Sequence, residues 1–422
     1  MKLTTWLNSL VSCTFLIISY NVKSQVLTLA QSQQEARANY PAIRQKDLIR
    51  QTENLTISNL SKYWLPQISV NAQASYQSAV TRLSIPIPGI LINPLSKDQY
   101  KVTTDINQSV FDGGVTYRQK QIEKLNAAIE NEKTEVELHT LRERINQLFL
   151  GILLQDQQLK QVELIKADIN TGIKKTEALV KNGLSFRSTL DNLAAELIKT
   201  EQRQIELQAS RKGLIKTLAL FTGRELNENV RLQSPEIVEQ TLVIKRPEID
   251  LFRQQNMLLG DQKKLLAAKK LPRAGLFAQG GYGRPGLNML ENQFDWFYIA
   301  GIRLSWNLGT LYTNKKDKDL LSVREKSVSL QQETFMLNTN AQLIQQQADI
   351  DKLERLVASD KIIIALREKV KTAANAQLEN QVISTSDYLR EVNAEDQARQ
   401  LLILHQLQLL QAKLNYNTIA GI

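Results

Sequence analysis

From Thr310 to Ala420 the chain contains neither glycine nor proline, and between Pro94 and Pro235 it contains no proline. From Val115 to about Lys181 the apolar residues Ile122, Leu125, Ile129, Val136, Leu141, Ile145, Leu148 and Ile152, continued by Leu159, Val162, Ile165, Ile169 and Ile173, recur at spacings of three, four and seven. That period is helical. A helix of about 65 residues is about 100 Å long at 1.5 Å per residue. It exceeds the diameter of an ordinary domain, so it must pack lengthwise against other helices, as in a coiled coil. Asn182-Gly183 interrupts the run, and a second helix is expected to return over 188–221 and stop at Gly223. A second long pair is expected over 310–375 and 384–420, with its break near Asn375–Asn380.

Each long pair follows a stretch that occurs twice. Leu65-Pro66 opens a segment ending at Tyr76, and Leu271-Pro272 opens one ending at Tyr282, 206 residues later in each case. In the first copy Ile68, Val70, Ala72, Ala74 and Tyr76 alternate with Gln67, Ser69, Asn71, Gln73 and Ser75. Period two is a strand with one apolar and one polar face. A second strand over 100–111 completes a hairpin across 67–111, around a loop carrying Pro86, Pro88 and Pro94. The second hairpin spans 273–308, and in it Trp296, Tyr298, Ala300, Ile302, Leu304 and Trp306 share one face. The repeat reaches upstream, where Tyr40-Pro41-Ala42-Ile43 matches Arg246-Pro247-Glu248-Ile249 within helices expected over 27–62 and 247–270. It also reaches downstream, where Ser188-Thr189-Leu190-Asp191 matches Ser384-Thr385-Ser386-Asp387, so the two returning helices are expected to start alike. The chain is thus a signal segment (1–24), a first repeat (25–223), a linker (224–245) and a second repeat (246–422), each repeat being helix, hairpin and long helix pair.

Met1-Lys2, the apolar run from Leu7 to Tyr20 and Val22-Lys23-Ser24 read as a secretory signal, with Gln25 the first mature residue. The only cysteine is Cys13; Leu10-Val11-Ser12-Cys13 resembles a lipidation box, but apolar residues continue beyond it. Without Lys2 and Lys23 the charge is 51 − 43 = +8, spread without a compact basic cluster, which argues against nucleic-acid binding. No later segment is long and apolar enough to cross a bilayer as a helix, so membrane entry would have to use strands. Aromatic residues near the strand ends (Tyr76, Tyr100, Phe111, Tyr282, Phe294, Trp296 and Trp306) read as the aromatic girdle of an outer-membrane barrel, where a β-sandwich core would bury the same residues. Four strands cannot close such a barrel, whose smallest members have about eight. Several chains must share it, and the strand count permits any multiple of four. The alternative is a periplasmic coiled-coil adaptor or structural protein whose hairpins pack on each other as a small soluble β domain.

With these features the chain resembles the TolC family of outer-membrane efflux proteins over nearly all of its mature length. The marks are the two Leu-Pro entries, the exits Phe111-Asp112-Gly113-Gly114 and Trp306-Asn307-Leu308-Gly309, and the paired Ser-Thr-x-Asp-x-Leu segments. The resemblance implies a mainly α protein with a transmembrane β-barrel part, in which a homotrimer shares a twelve-stranded barrel above a periplasmic α-helical tunnel. It implies an exit duct that meets a periplasmic adaptor and an inner-membrane transporter, with outer-membrane lipid around the barrel. The helical turns become the periplasmic tips, where Gly183, Leu184, Ser185, Gln381 and Val382 would meet the adaptor. One turn further on, Asp387 and Asp191 would constrict the pore; Arg390, three residues beyond Asp387, departs from the family pattern and can pair with it. The polar strand faces would line the lumen, and loops 83–98 and 284–293 would partly cover its mouth. No cofactor, metal or catalytic role is implied: His139 and His405 stand singly, and Gly280-Gly281-Tyr282-Gly283 lies in a strand.

Overall fold

A computed structural model describes residues 26–81, 94–236, 243–380 and 382–422. The expected signal segment with Cys13, the apolar part of loop 83–98 and Gln381 lie outside the described residues.

The described elements are, in order, β1 (Val26–Leu27), α1 (Leu29–Asn39), α2 (Gln45–Ser61), β2 (Gln67–Tyr76), β3 (Asp98–Phe111), α3 (Val115–Lys181) and α4 (Arg187–Thr222). They continue with β4 (Arg231–Leu232), α5 (Pro247–Ala268), β5 (Arg273–Arg284), β6 (Asp295–Ser305), α6 (Thr310–Glu379) and α7 (Thr385–Ala420). The helical run expected over 27–62 is two helices, divided at Pro41, the proline inside it. Thr28 starts α1 with a capping box to Gln31, and Tyr40, forced out of the helical region by Pro41, ends it. At 67 and 70 residues, α3 and α6 are each about 100 Å long.

The hairpins enter the long helices by one device in two spellings. After β3, Gly113 and Gly114 take left-handed φ values of 73° and 83°. The Asp112 carboxylate accepts from the Gly114 and Thr116 amides at 2.8 and 2.7 Å, satisfying donors that a helix start leaves open. A Cβ on Gly113 would lie 2.7 Å from the Ala268 carbonyl, so the turn must be glycine to sit against the end of α5. After β6 the Asn307 side chain does the same work, accepting from the Gly309 amide at 3.1 Å.

The two hairpins join edge to edge. β2, β3, β5 and β6 form one antiparallel sheet in that order, with β3 and β5 in register from Tyr100↔Arg284 to Phe111↔Ala274 and a bulge between Ser109 and Phe111. Hairpins packed face to face, as in the soluble alternative, are therefore not what the chain builds. Among the described residues β2 and β6 are free edges. The main apolar core lies midway down the helices, where Ile145, Phe149 and Ile152 of α3 meet Ile215 and Leu218 of α4 and Leu29 and Ala36 of α1. The parallel pair β1–β4 lies against it. It draws the segment expected as a plain linker, 224–245, onto the start of the first repeat.

Candidate functional site

The sheet supplies the first part of the site. Ile68, Val70, Trp296, Tyr298, Ile302 and Leu304 are all exposed on one face, the last four by more than 70 %. Soluble monomers seldom leave so continuous an apolar surface in water. Trp296 and Trp306 bracket this face, ten residues apart on the strand, or about 33 Å at about 3.3 Å per residue. At the tilt of barrel strands, about 40°, that projects to about 25 Å, the height of the apolar band of an outer-membrane barrel. At one end Tyr282 lies 5.0 Å from Trp296 and 5.6 Å from Phe294, ring centre to ring centre. At the other the Trp306 indole donates to the Lys270 carbonyl at 2.8 Å. Aromatic rings with one polar handle suit the two membrane interfaces. Beyond the upper girdle, Ser96 and Asn292 hydrogen-bond across the two loops expected to cover the mouth, at 2.8 and 3.0 Å.

The opposite face is polar. Asp105 accepts from Asn71 at 2.7 Å and from Gln279 at 2.6 Å, across three strands. Lys101 and Arg303 each lie 4.6 Å from the centre of a phenylalanine ring, Phe297 and Phe277, and each ring lies over a cross-strand glycine, Gly281 and Gly301. A Cβ at Gly281 would come within 2.7 Å of Phe297, so glycine is what lets that ring lie flat.

The second part of the site is at the far ends of the helices. Gly183, with φ 73°, turns α3 toward α4; Leu184 is 58 % exposed and Ser185 half-buried. Phe186, which the sequence reading passed over, is 81 % exposed and extends the apolar tip. In the other turn Val382 is exposed, its amide donating to the Gln377 carbonyl at 2.8 Å.

Ser384 caps α7. Its hydroxyl accepts from the Asp387 amide at 3.2 Å, while the Asp387 carboxylate accepts from the Ser384 hydroxyl at 2.7 Å and its amide at 3.3 Å. Arg390 lies 3.5 Å from the same carboxylate. The Ser384 hydroxyl and amide, with Arg390 adding attraction, hold the Asp387 carboxyl below its ordinary range. The two returning helices do not start alike: α4 begins two residues earlier in the repeat, after Phe186, with no side-chain cap. Asp191 is exposed on its first turns, and among the described residues no ion pair or hydrogen bond joins it to Asp387. What the two helices share is their seat on α3, where Gly172 admits Leu193 of α4 and Tyr388 of α7. Ser384→Ala is expected to destabilise the start of α7 by about 1 kcal/mol, read as faster amide exchange over its first turn. The lowered Asp387 carboxyl stabilises the fold above its unfolded pKa, about 4, and that stabilisation is lost as pH falls through the lower folded value.

Behind the tip lies an ion network on residues the sequence reading did not single out. Glu395, almost wholly buried on α7, meets Lys371 of α6 at 2.7 Å, and Lys371 reaches Asp168 of α3 at 3.0 Å. Arg399 pairs with both Glu395 and Glu368. Burial alone would raise the Glu395 carboxyl, but hydrogen bonds from Lys371 and Arg399 outweigh it and hold the group ionised. Three helices from both repeats are thus tied at one level. No signal in the sequence marks this set, because each charge is ordinary on its own helix and only the packing brings them together.

Residues 33–224 match the profile of the outer membrane efflux protein family. No curated protein sequence matches the chain. Among solved structures the fold is similar to the outer membrane protein VceC of Vibrio cholerae, with a TM-score of 0.68 at 14 % identity over 93 % of this chain and 96 % of that one. It is also similar to the open state of the MtrE outer membrane channel of Neisseria gonorrhoeae, with a TM-score of 0.65 at 14 % identity over 93 % and 88 %. The CmeC outer membrane channel of Campylobacter jejuni gives 0.64 at 11 % identity over 93 % and 85 %. Identities this low carry the fold alone.

Proposed function

We propose that this chain is a member of the outer membrane efflux protein family, whose profile its residues 33–224 match, and that three copies of it close one twelve-stranded barrel above a shared helical tunnel. The chain is an outer-membrane exit duct of an efflux system, at the outer membrane and extending into the periplasm. The observation that carries the trimer is the sheet: an apolar face sized to a bilayer, with two free edges on β2 and β6. Each unpaired backbone group at such an edge costs several kcal/mol in hydrocarbon, and pairing β6 of one copy with β2 of the next removes the cost. A second observation agrees. Val323, Leu330, Leu337 and Ile344 of α6 are all exposed and stand seven residues apart, the repeat of a helix face awaiting a partner helix.

In this reading the polar sheet face lines the exit. The tips Gly183, Leu184, Ser185 and Val382, with Phe186, meet a periplasmic adaptor through the apolar side chains of Leu184, Phe186 and Val382, and through it the duct meets an inner-membrane transporter. Asp387 forms a ring of three carboxylates near the tunnel end, partly neutralised by Arg390, with Asp191 nearby. Purified protein in planar bilayers tests this. Discrete conductance steps are expected, with weaker cation preference in Asp387→Ala than in wild type, since carboxylate rings favour cations. Unchanged selectivity would discard the ring and keep the duct; protein that stays soluble without detergent and never inserts would discard the duct.

A further inference from the structure

The polar face of the sheet carries its charge unevenly. The charged residues that the described strands place on it are Lys101 and Asp105 of β3, Arg273 of β5, and Asp295 and Arg303 of β6, and cross-strand pairing sets all five on one side. At the outer end, below the loops, Lys101 and Asp295 flank Gly283 in one row, so a cation and a carboxylate stand on either side of β5. In the middle, Asp105 accepts from Asn71, Gln279 and Thr103. At the inner end, where the sheet meets the helices, both charges are positive. Arg303 lies opposite Gly275, and Arg273 lies opposite Ser305 in the next row inward. The two rows are about 7 Å apart, two residues at about 3.3 Å each.

The two arginines are open to whatever passes. Both are exposed, and among the described residues neither forms an ion pair. Arg303 lies 4.6 Å from the centre of the Phe277 ring, which keeps the guanidinium at the wall without neutralising it. Asp112, in the turn after β3, attracts Arg273, but it is buried and its two oxygens accept from the Gly114 and Thr116 amides. Asp105 shares a row with Ile299, four residues or about 13 Å from Arg303 along β6.

We propose that Arg273 and Arg303 form a positive collar at the inner end of the barrel, and that this collar makes the barrel section of the duct favour anionic solutes. The proposal rests on the trimeric duct, in which two arginines from each of three copies put six cations around one short stretch of lumen. On the whole face three cations oppose two carboxylates, so the arginines decide its sign; without them Lys101 alone faces Asp105 and Asp295. A wide lumen leaves this preference dependent on salt. The Debye length is about 30 Å at 0.01 M and about 3 Å at 1 M, so wall charges act across the lumen only when salt is low. The Asp387 ring, which favours cations, lies at the other end of helices about 100 Å long, too far away to cancel the collar.

Reversal potentials in planar bilayers, across a gradient from about 10 to about 100 mM KCl, read the sign of the preference at salt low enough for wall charge to act. In Asp387→Ala, where the acidic ring is gone, a chloride-to-potassium permeability ratio above one is expected, falling toward one as both solutions approach about 1 M. Adding Arg273→Gln and Arg303→Gln is expected to bring the ratio to one or below. Arg273→Lys with Arg303→Lys in the same background is expected to keep it above one, because the effect comes from charge. A ratio at or below one in Asp387→Ala, or above one after both glutamine substitutions, would overturn the collar and leave the duct standing. Absence of conductance steps in wild type would overturn the duct, and the collar with it. Should the chain with both glutamines fail to assemble, Arg303→Gln alone in the Asp387→Ala background is expected to lower the ratio, and an unchanged ratio would overturn the collar.

Discussion

Ile302→Arg is expected to remove the protein from the outer membrane, whereas Ile299→Arg is expected to leave it there. Ile302 stands on β6 between Trp296 and Trp306, close to the middle of the apolar band, and points from the exposed apolar face. An arginine facing lipid at the bilayer midplane costs about 2–4 kcal/mol. Three copies in one barrel multiply this to about 6–12 kcal/mol, comparable with the whole stability of an ordinary domain. Ile299, three residues away, lies on the opposite face with Phe297 and Arg303, where the strand already carries a cation. The measurement is the amount of heat-modifiable trimer in outer-membrane fractions of cells making each variant. If the two variants behave alike, the assignment of lipid-facing and lumen-facing sides is wrong.

Lys371→Met is expected to loosen the tunnel end. Removing Lys371 leaves Glu395 buried with Arg399 alone and releases Asp168, so α6 loses this link to α3 and its direct hold on Glu395, while Arg399–Glu368 still joins α7 to α6. Removing one partner of a buried ion pair costs about 3–5 kcal/mol; Arg399 still supports Glu395, so about 3 kcal/mol per chain is the expectation. That corresponds to roughly 100-fold faster amide exchange where exchange reports local opening, over the first half of α7 and the facing part of α6. The double variant Lys371→Met/Glu395→Leu should recover part of the loss, because replacing both partners removes the buried charge along with its support. A full loss in the double variant would mean that the methionine disrupts packing and the ion pair contributes little. Wild type has its own acid dependence in the same place. The Glu395 carboxyl is lowered on folding, so its contribution is present above the unfolded value of about 4.3 and lost as pH falls below it.

The parts of this protein that could be read from the residues are those whose signal is local. The bounds of α3 follow from an apolar period that runs unbroken to Asn182-Gly183, and the two faces of β2 and β6 follow from strict alternation. The conclusion that four strands must be shared among chains needed only a count and the cost of an open edge in lipid. The Asp387–Arg390 pair was legible because i and i+3 on a helix are neighbours whatever else the chain does.

Other features were decided by residues meeting from distant parts of the chain. Ser188 matches Ser384 in sequence but caps nothing, because Phe186 already starts α4. Two-residue strands such as β1 and β4 are too short to carry a period; they exist because packing on the Phe149 core brings their backbones side by side. The join of β3 to β5, and with it the choice of one continuous sheet over two packed hairpins, depends on backbone pairing between the repeats. Lys371, Glu395 and Asp168 become one network only when three helices are in place. Periodicity is written along the chain and determines each element and its faces. Pairing energies act between elements, so the partners of an edge, a buried charge or an open donor are chosen only when the long helices lie against one another.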